Sequence, residues 1–173
     1  MIYRARLFFM SFPWKRESIR FYIKDVKCLE KKVVVKYQNG KIIKGWVEEF
    51  QPDRNYFTFY PLIESGQEEN VEDNFDSLIN FDSLKAVFFV KDFAGNKDYQ
   101  KVRTFDVELQ ITPSQRKLIV NFKDGEKLYG SSLTYGRYKV GYFVSPVDPK
   151  DNNERIFVVH SAVESVRLMK IKI

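Results

Sequence analysis

Residues 31–62 read KKVVVKYQNGKIIKGWVEEFQPDRNYFTFYPL, and residues 117–147 read KLIVNFKDGEKLYGSSLTYGRYKVGYFVSPV. The two stretches align without a gap: Gly40 falls on Gly125, Gly45 on Gly130 and Pro61 on Pro146. Tyr37 falls on Phe122, Asn39 on Asp124, Ile43 on Leu128, Phe50 on Tyr135 and Phe57 on Tyr142. Apolar and turn residues that recur at one offset are the mark of a duplicated structural unit.

The local chemistry of each copy is that of strands. Lys32–Gln38 is rich in β-branched residues, which suit a pleated, half-buried surface. Asn39-Gly40 follows, and both residues tolerate the positive φ of a tight hairpin turn. Lys41–Phe50 is then the returning strand, and Gly45 inside it marks a bend or a close backbone approach. Gln51-Pro52-Asp53-Arg54 is a turn. Asn55–Pro61 is a third strand, with Tyr56, Thr58 and Tyr60 on one face and Phe57 and Phe59 on the other. Asp124, Gly125 and Gly130 repeat the turn and bend in the second copy.

Working outward, 173 residues accommodate one ordinary domain or two small ones, and the repeat decides for two. An aromatic content of 16% leans the same way, towards β structure. The expected organisation is a basic arm or helix over 1–30, a first β-barrel over 31–93, a linker and strand over 94–111, and a second barrel over 112–173. The first barrel carries an exposed acidic loop at 63–82, with Glu64, Glu68, Glu69, Glu72, Asp73, Asp76 and Asp82 and no Lys or Arg between them. Leu84–Phe93 is a buried strand by its apolar density, and Arg155–His160 and Ser165–Ile171 are the closing strands. In the arm, Ile19, Tyr22, Ile23 and Val26 fall at helical spacing, while Ile19, Phe21 and Ile23 also alternate; the helix is preferred. The fold class is thus mainly β, two tandem small SH3/Sm-like barrels with an N-terminal helix or arm. No apolar run is long enough for a membrane helix. Leu7–Met10 is too short for a signal peptide and charge returns at Lys15, with Met10 an alternative start.

No catalytic constellation stands out, and the chain reads as non-enzymatic. His160 is the only histidine and lies in an apolar strand, where packing is the preferred role. The single cysteine, Cys28, excludes an internal disulfide and a cysteine-based zinc site. The acidic loop lacks the ligand ladder of a calcium loop, and Glu48-Glu49 alternate across a strand and so cannot act as an acid–base pair. No cofactor is expected. Net charge is +6, which permits an anionic partner. The candidate partner or nucleic-acid contacts are Arg4, Arg6, Lys15, Arg16, Arg20 and Trp14, basic residues interleaved with aromatics that suit phosphate contact and base stacking. Tyr56, Tyr60 and Trp46 are candidates to line a peptide groove.

The spacing of apolar residues, Asn/Asp-Gly and second glycine resembles the first signature of Sm-like proteins, whose strongly bent five-stranded barrels bind RNA as rings. The Arg-Gly element of that family is absent: the corresponding stretches read Asn80-Phe81-Asp82-Ser83 and Val159-His160-Ser161-Ala162. Across VVVKYQNGKIIKGWVEEFQPDRNYFTFYPL, LKAVFFVKDFAGNKDY, LIVNFKDGEKLYGSSLTY and NNERIFVVHSAVESV the chain also resembles a bacterial family of tandem barrels that occur alone or beside PilZ domains in signalling proteins. That resemblance implies an association with bacterial regulation, and the expected function is a cytoplasmic regulatory module that binds a protein partner. The alternative implied by the Sm-like signature is RNA or single-stranded nucleic-acid binding. The arginine-rich and Asp/Asn-x-Ser-x-x-Gly elements that bind cyclic di-GMP in PilZ domains have no counterpart here.

Overall fold

A computed structural model describes residues 31–62, 77–96, 98–100, 102, 104–105 and 114–169. Among these, ten strands and two short 3-10 turns account for the regular structure, so the chain is mainly β. In chain order the strands are β1 Lys31–Tyr37, β2 Ile42–Val47, β3 Tyr56–Pro61, β4 Ser77–Asn80 and β5 Leu84–Val90. The remaining five are β6 Arg116–Phe122, β7 Lys127–Ser132, β8 Gly141–Pro146, β9 Asn153–Val159 and β10 Val163–Leu168. The 3-10 turns, Phe81–Ser83 and His160–Ala162, precede β5 and β10.

Connectivity repeats as the sequence does. Strands β1, β2 and β3 form a meander, β4 pairs with β3, and β5 returns to the other side of β1. Strands β6 to β10 repeat each of those pairings. A further antiparallel ladder joins the halves, with Ala86 opposite Val158, Val87 opposite Phe157, Phe88 opposite Ile156 and Phe89 opposite Arg155. All ten strands therefore belong to one sheet, ordered β10-β6-β7-β8-β9-β5-β1-β2-β3-β4, with β10 and β4 at its edges.

This seam explains the composition of its two strands. Side chains alternate along a strand, so a strand buried on both faces reads as a continuous apolar run. In β5, Val87 and Phe89 enter a first core cluster, with Val33, Val35, Val47, Phe57, Phe59, Ile79, Phe81 and Leu84. Ala86 and Phe88 enter a second, with Leu118, Val120, Phe122, Tyr142 and Val144. The exchange is reciprocal: Phe157 and Val159 of β9 pack in the first cluster, and Ile156 and Val158 in the second. Arg155 adds a stacked contact, its guanidinium 4.4 Å from the Phe89 ring and 4.6 Å from the Phe143 ring. Beyond β5, the loop before β9 holds the departing chain: the Lys91 ammonium donates to the Asp151 carbonyl at 2.8 Å, and Asp92 and Asn152 exchange two hydrogen bonds.

The hairpin glycines differ in kind. Gly40 and Gly125 occupy the turns with φ of +88° and +82°, and open space surrounds them. At Gly45 a Cβ would run into the Tyr60 carbonyl and lie 2.6 Å from the Phe59 ring. At Gly130 it would lie 2.5 Å from the Ser145 carbonyl oxygen.

Ser77–Asn80 and His160 depart from the sequence reading. Ser77–Asn80, at the end of the acidic stretch, is a strand, because Ile79 is buried in the first core opposite Phe57. His160 sits not in a strand but on an exposed 3-10 turn, its ring 5.3 Å from that of Tyr142. The arm residues Arg4, Arg6, Lys15, Arg16, Arg20 and Trp14, and Cys28, lie outside the described residues.

Phe157→Ala is expected to destabilise the protein by about 3–5 kcal/mol in urea-induced unfolding, since the ring is fully buried. Gly40→Ala should cost about 1 kcal/mol, set by backbone conformation alone. Gly45→Ala should cost more, about 2–3 kcal/mol, because the added methyl meets backbone. Equal losses at the two glycines would refute the close approach of β2 and β3.

Candidate functional site

A concavity lies where β2 leaves the sheet and β3 enters it. Strand β2 ends at Val47, and Phe50 then turns into the first core. Its ring lies 5.1 Å from Phe57, 5.1 Å from Phe157, 5.2 Å from Phe89 and 5.5 Å from Phe81. An aromatic anchored on that many neighbours fixes the loop path, and its flanking residues Glu49 and Gln51 are left facing solvent. The Gln51 side-chain amide donates to the Glu49 carboxylate, and the Arg54 amide donates to the Gln51 carbonyl at 3.1 Å. The outcome is a groove of about 290 Å³ lined by Glu48, Glu49, Gln51, Arg54, Tyr56, Phe57, Thr58 and Tyr60.

Of the aromatics expected in a peptide groove, Tyr56 and Tyr60 line this one. Trp46 stands opposite Tyr60 in the β2–β3 ladder and packs edge-on against Phe93, with ring centroids 5.2 Å apart. The two glutamates correct the sequence reading. Strand alternation separates neighbouring side chains only while the strand lasts, and it ends one residue before Glu48. Both residues therefore line the same groove. The sequence signal that marks this is Phe50 followed by Gln51-Pro52, an apolar residue forced inward immediately before a turn.

Chemically, the groove offers two carboxylates, a guanidinium and two phenol rings on one wall or another. That set suits a polar or cationic chain segment laid against flat aromatic faces. Among the described residues, no three His, Cys, Asp or Glu side chains are grouped to hold a metal ion.

The other polar clusters hold the fold together. Among the described residues Lys85 of β5 is the most buried charged side chain, 3% exposed, and it meets the hairpin turn of the other repeat. Its ammonium pairs with Asp124 at 2.5 Å and with Glu126, and lies 4.4 Å from the Phe122 ring centre. Lys36 of β1 pairs with Glu126 at 2.9 Å. Burial opposes the charge on Lys85, and the hydrogen bonds to Asp124 and Glu126 outweigh it, so its pKa lies above the ordinary lysine value. The hydrogen bond from Lys85 is the main reason Asp124 titrates below the usual carboxylate range. For Glu126 burial pushes upward, and the hydrogen bonds from Lys85 and Lys36 bring the net shift downward.

A buried carboxylate, Asp148, ties down the linker between the repeats. It accepts from the Tyr99 hydroxyl at 2.7 Å, the Val102 amide at 3.0 Å and the Lys150 amide at 2.9 Å. Burial pushes its pKa up, those donors together pull it down by more, and the net direction is down. The same hydrogen bond pushes Tyr99 up to about 12.

With this geometry described, comparison places the chain. The chain belongs to DUF6982, a family of unknown function, whose model matches residues 29–170. No curated protein and no solved structure matches it. No described helix is long and apolar enough to cross a membrane.

The ion cluster has a definite pH signature. Carboxylates with lowered pKa contribute stability that is complete above about pH 4 and is lost as pH falls through their folded values. Lys85, with a raised pKa, contributes stability that is complete below about pH 10 and is lost as pH rises through its folded value. The Asp124→Asn/Glu126→Gln double variant should lose roughly 1–3 kcal/mol at neutral pH, the carboxylates being half exposed, and should show a shallower loss below pH 4. Lys85→Met should stay within about 1 kcal/mol of wild type. Thermal melts from pH 2 to 7 measure both effects. An unchanged acid limb in the double variant would show that the cluster does not form.

Proposed function

We propose that the chain is a non-enzymatic interaction module of a bacterial signalling system, built from two SH3/Sm-like barrels. Each five-stranded half would be one barrel, sharing its core with its neighbour through the seam. The support for barrels is the repeated connectivity, a meander closed by a strand that returns after a 3-10 turn. The link to PilZ-type cytoplasmic regulation comes from the sequence resemblance alone.

The observation that carries the binding reading is the groove, in which Tyr56 and Tyr60 share walls with Glu48 and Glu49. Tyrosine gives large contact area at low conformational cost, and paired carboxylates select lysine or arginine in what they meet. The ligand we infer is a short, extended peptide carrying basic residues, laid along the outer face of β3. A groove with two carboxylates repels a phosphate backbone, which sets RNA second.

The test is a titration of ¹⁵N-labelled full chain with a proline-containing decapeptide bearing two arginines, followed by amide shifts. Shifts should concentrate on Glu48–Tyr60. Tyr56→Ala, and separately Glu48→Gln/Glu49→Gln, should weaken binding roughly tenfold while leaving the melting temperature unchanged. Shifts elsewhere, no shifts at all, or saturable and steeply salt-dependent binding of a single-stranded oligoribonucleotide would overturn the proposal.

A further inference from the structure

The seam inside the chain has a template-like consequence at its ends. It pairs the fifth strand of the first repeat, β5, with the fourth strand of the second, β9. The strands left at the sheet edges are the complementary pair, the fourth of the first repeat, β4, and the fifth of the second, β10. Among the described residues nothing pairs with the outer edge of either. We propose that a second copy of this chain docks there, β10 of one molecule against β4 of the next, repeating the internal seam between molecules.

Three independent features of these edges fit that occupant. The first is apolar. From β4 to β10 the repeats align at a second offset, set by the shorter loop of the second copy, so that Leu78 corresponds to Phe157. Phe157 crosses the seam to pack in the other half's core beside Val87 and Phe89. Leu78 is 70% exposed, with no such core to enter in its own molecule. The counterparts of Val87 and Phe89 on β10 are Val166, half-buried, and Leu168, 46% exposed, with Met169 beside it 40% exposed. Each edge therefore carries the unpaired half of the same apolar contact.

The second feature is register. The internal ladder sets Ala86, Val87 and Phe88 opposite Val158, Phe157 and Ile156. Transferred by the repeat, it sets Ser165, Val166 and Arg167 of one molecule opposite Ile79, Leu78 and Ser77 of the next. All six residues lie in strands already held in place by β6 and β3.

The third is charge. At the internal seam Lys85 meets the acidic turn Asp124-Gly125-Glu126. The counterpart of Lys85 on β10 is Glu164, and the counterpart of the acidic turn is Asn39-Gly40-Lys41. Both signs are reversed, so attraction is preserved: Glu164 of one molecule faces Lys41 of the next. Both side chains are exposed in the single chain. The two surfaces are therefore electrostatically complementary, as the internal seam is. The contact is heterologous, so it propagates head to tail and closes as a ring or runs on as a filament.

This inference is independent of the groove, which lies on other residues. Sedimentation velocity of the full chain between about 5 μM and 0.3 mM should show concentration-dependent assembly beyond the monomer. Leu78→Asp should weaken assembly roughly tenfold or more with the melting temperature unchanged, because Leu78 is exposed in the monomer. Glu164→Lys alone and Lys41→Glu alone should each weaken it, and the two variants mixed should recover association, since one supplies a lysine edge and the other a glutamate turn. A wild type that remains monomeric across the range, assembly indifferent to Leu78→Asp, or a mixture no tighter than either variant alone would each overturn the proposal.

Discussion

The β5–β9 ladder is the constraint on which the rest of the structure depends. Each repeat has a core too small to be comfortable alone, since small domains bury a limited fraction of their surface. The ladder lets Phe157 and Val159 complete the first core while Ala86 and Phe88 complete the second. It also explains why the most apolar segments of the chain, Leu84–Val90 and Ile156–Val159, sit in the middle of the sheet and not at its ends. Around it the polar contacts fall into place. The Lys85 cluster closes one end of the seam, and the Lys91–Asp151 and Asp92–Asn152 hydrogen bonds close the other. An ion pair with a buried member adds little net stability, and Lys85 meets Asp124 and Glu126 in the alignment of strands observed.

The two halves share one pattern of strand pairing and differ in what surrounds it. The hairpin turns, bend glycines and 3-10 turns have remained equivalent in the two halves. What has diverged is what surrounds them: Phe50 beside a groove of glutamates and tyrosines in the first half, an acidic turn against the seam in the second. The proposed binding and the proposed association thus fall in different places, one on the β2–β3 corner and one on the sheet edges.

How much of this was legible in the sequence depended on the range of the interaction involved. The Asn39-Gly40 and Asp124-Gly125 turns act locally, and the mainly β character follows from residues within a few positions of one another. Tyr56 and Tyr60 could be named for the groove because alternation along one strand is also local. Strand β4 was hidden because Ser77–Asn80 is short and follows an acidic stretch, and only the burial of Ile79 against Phe57 makes it a strand. Glu48 and Glu49 escape the alternation rule because β2 ends at Val47 and Phe50 pulls the chain out of the sheet. The seam itself pairs residues some seventy positions apart. No local pattern specifies that partner, although the continuous apolar runs of β5 and β9 record that both their faces are covered.

Native-state hydrogen exchange followed residue by residue tests the central claim most directly. If the seam unites the two repeats, the amides of Ala86–Val90 and Ile156–Val158 exchange most slowly, and the slowest amides of both halves share one opening free energy, the global one. Two separate opening energies, one for β1–β5 and one for β6–β10, with fast exchange at the β5–β9 ladder, would contradict the account.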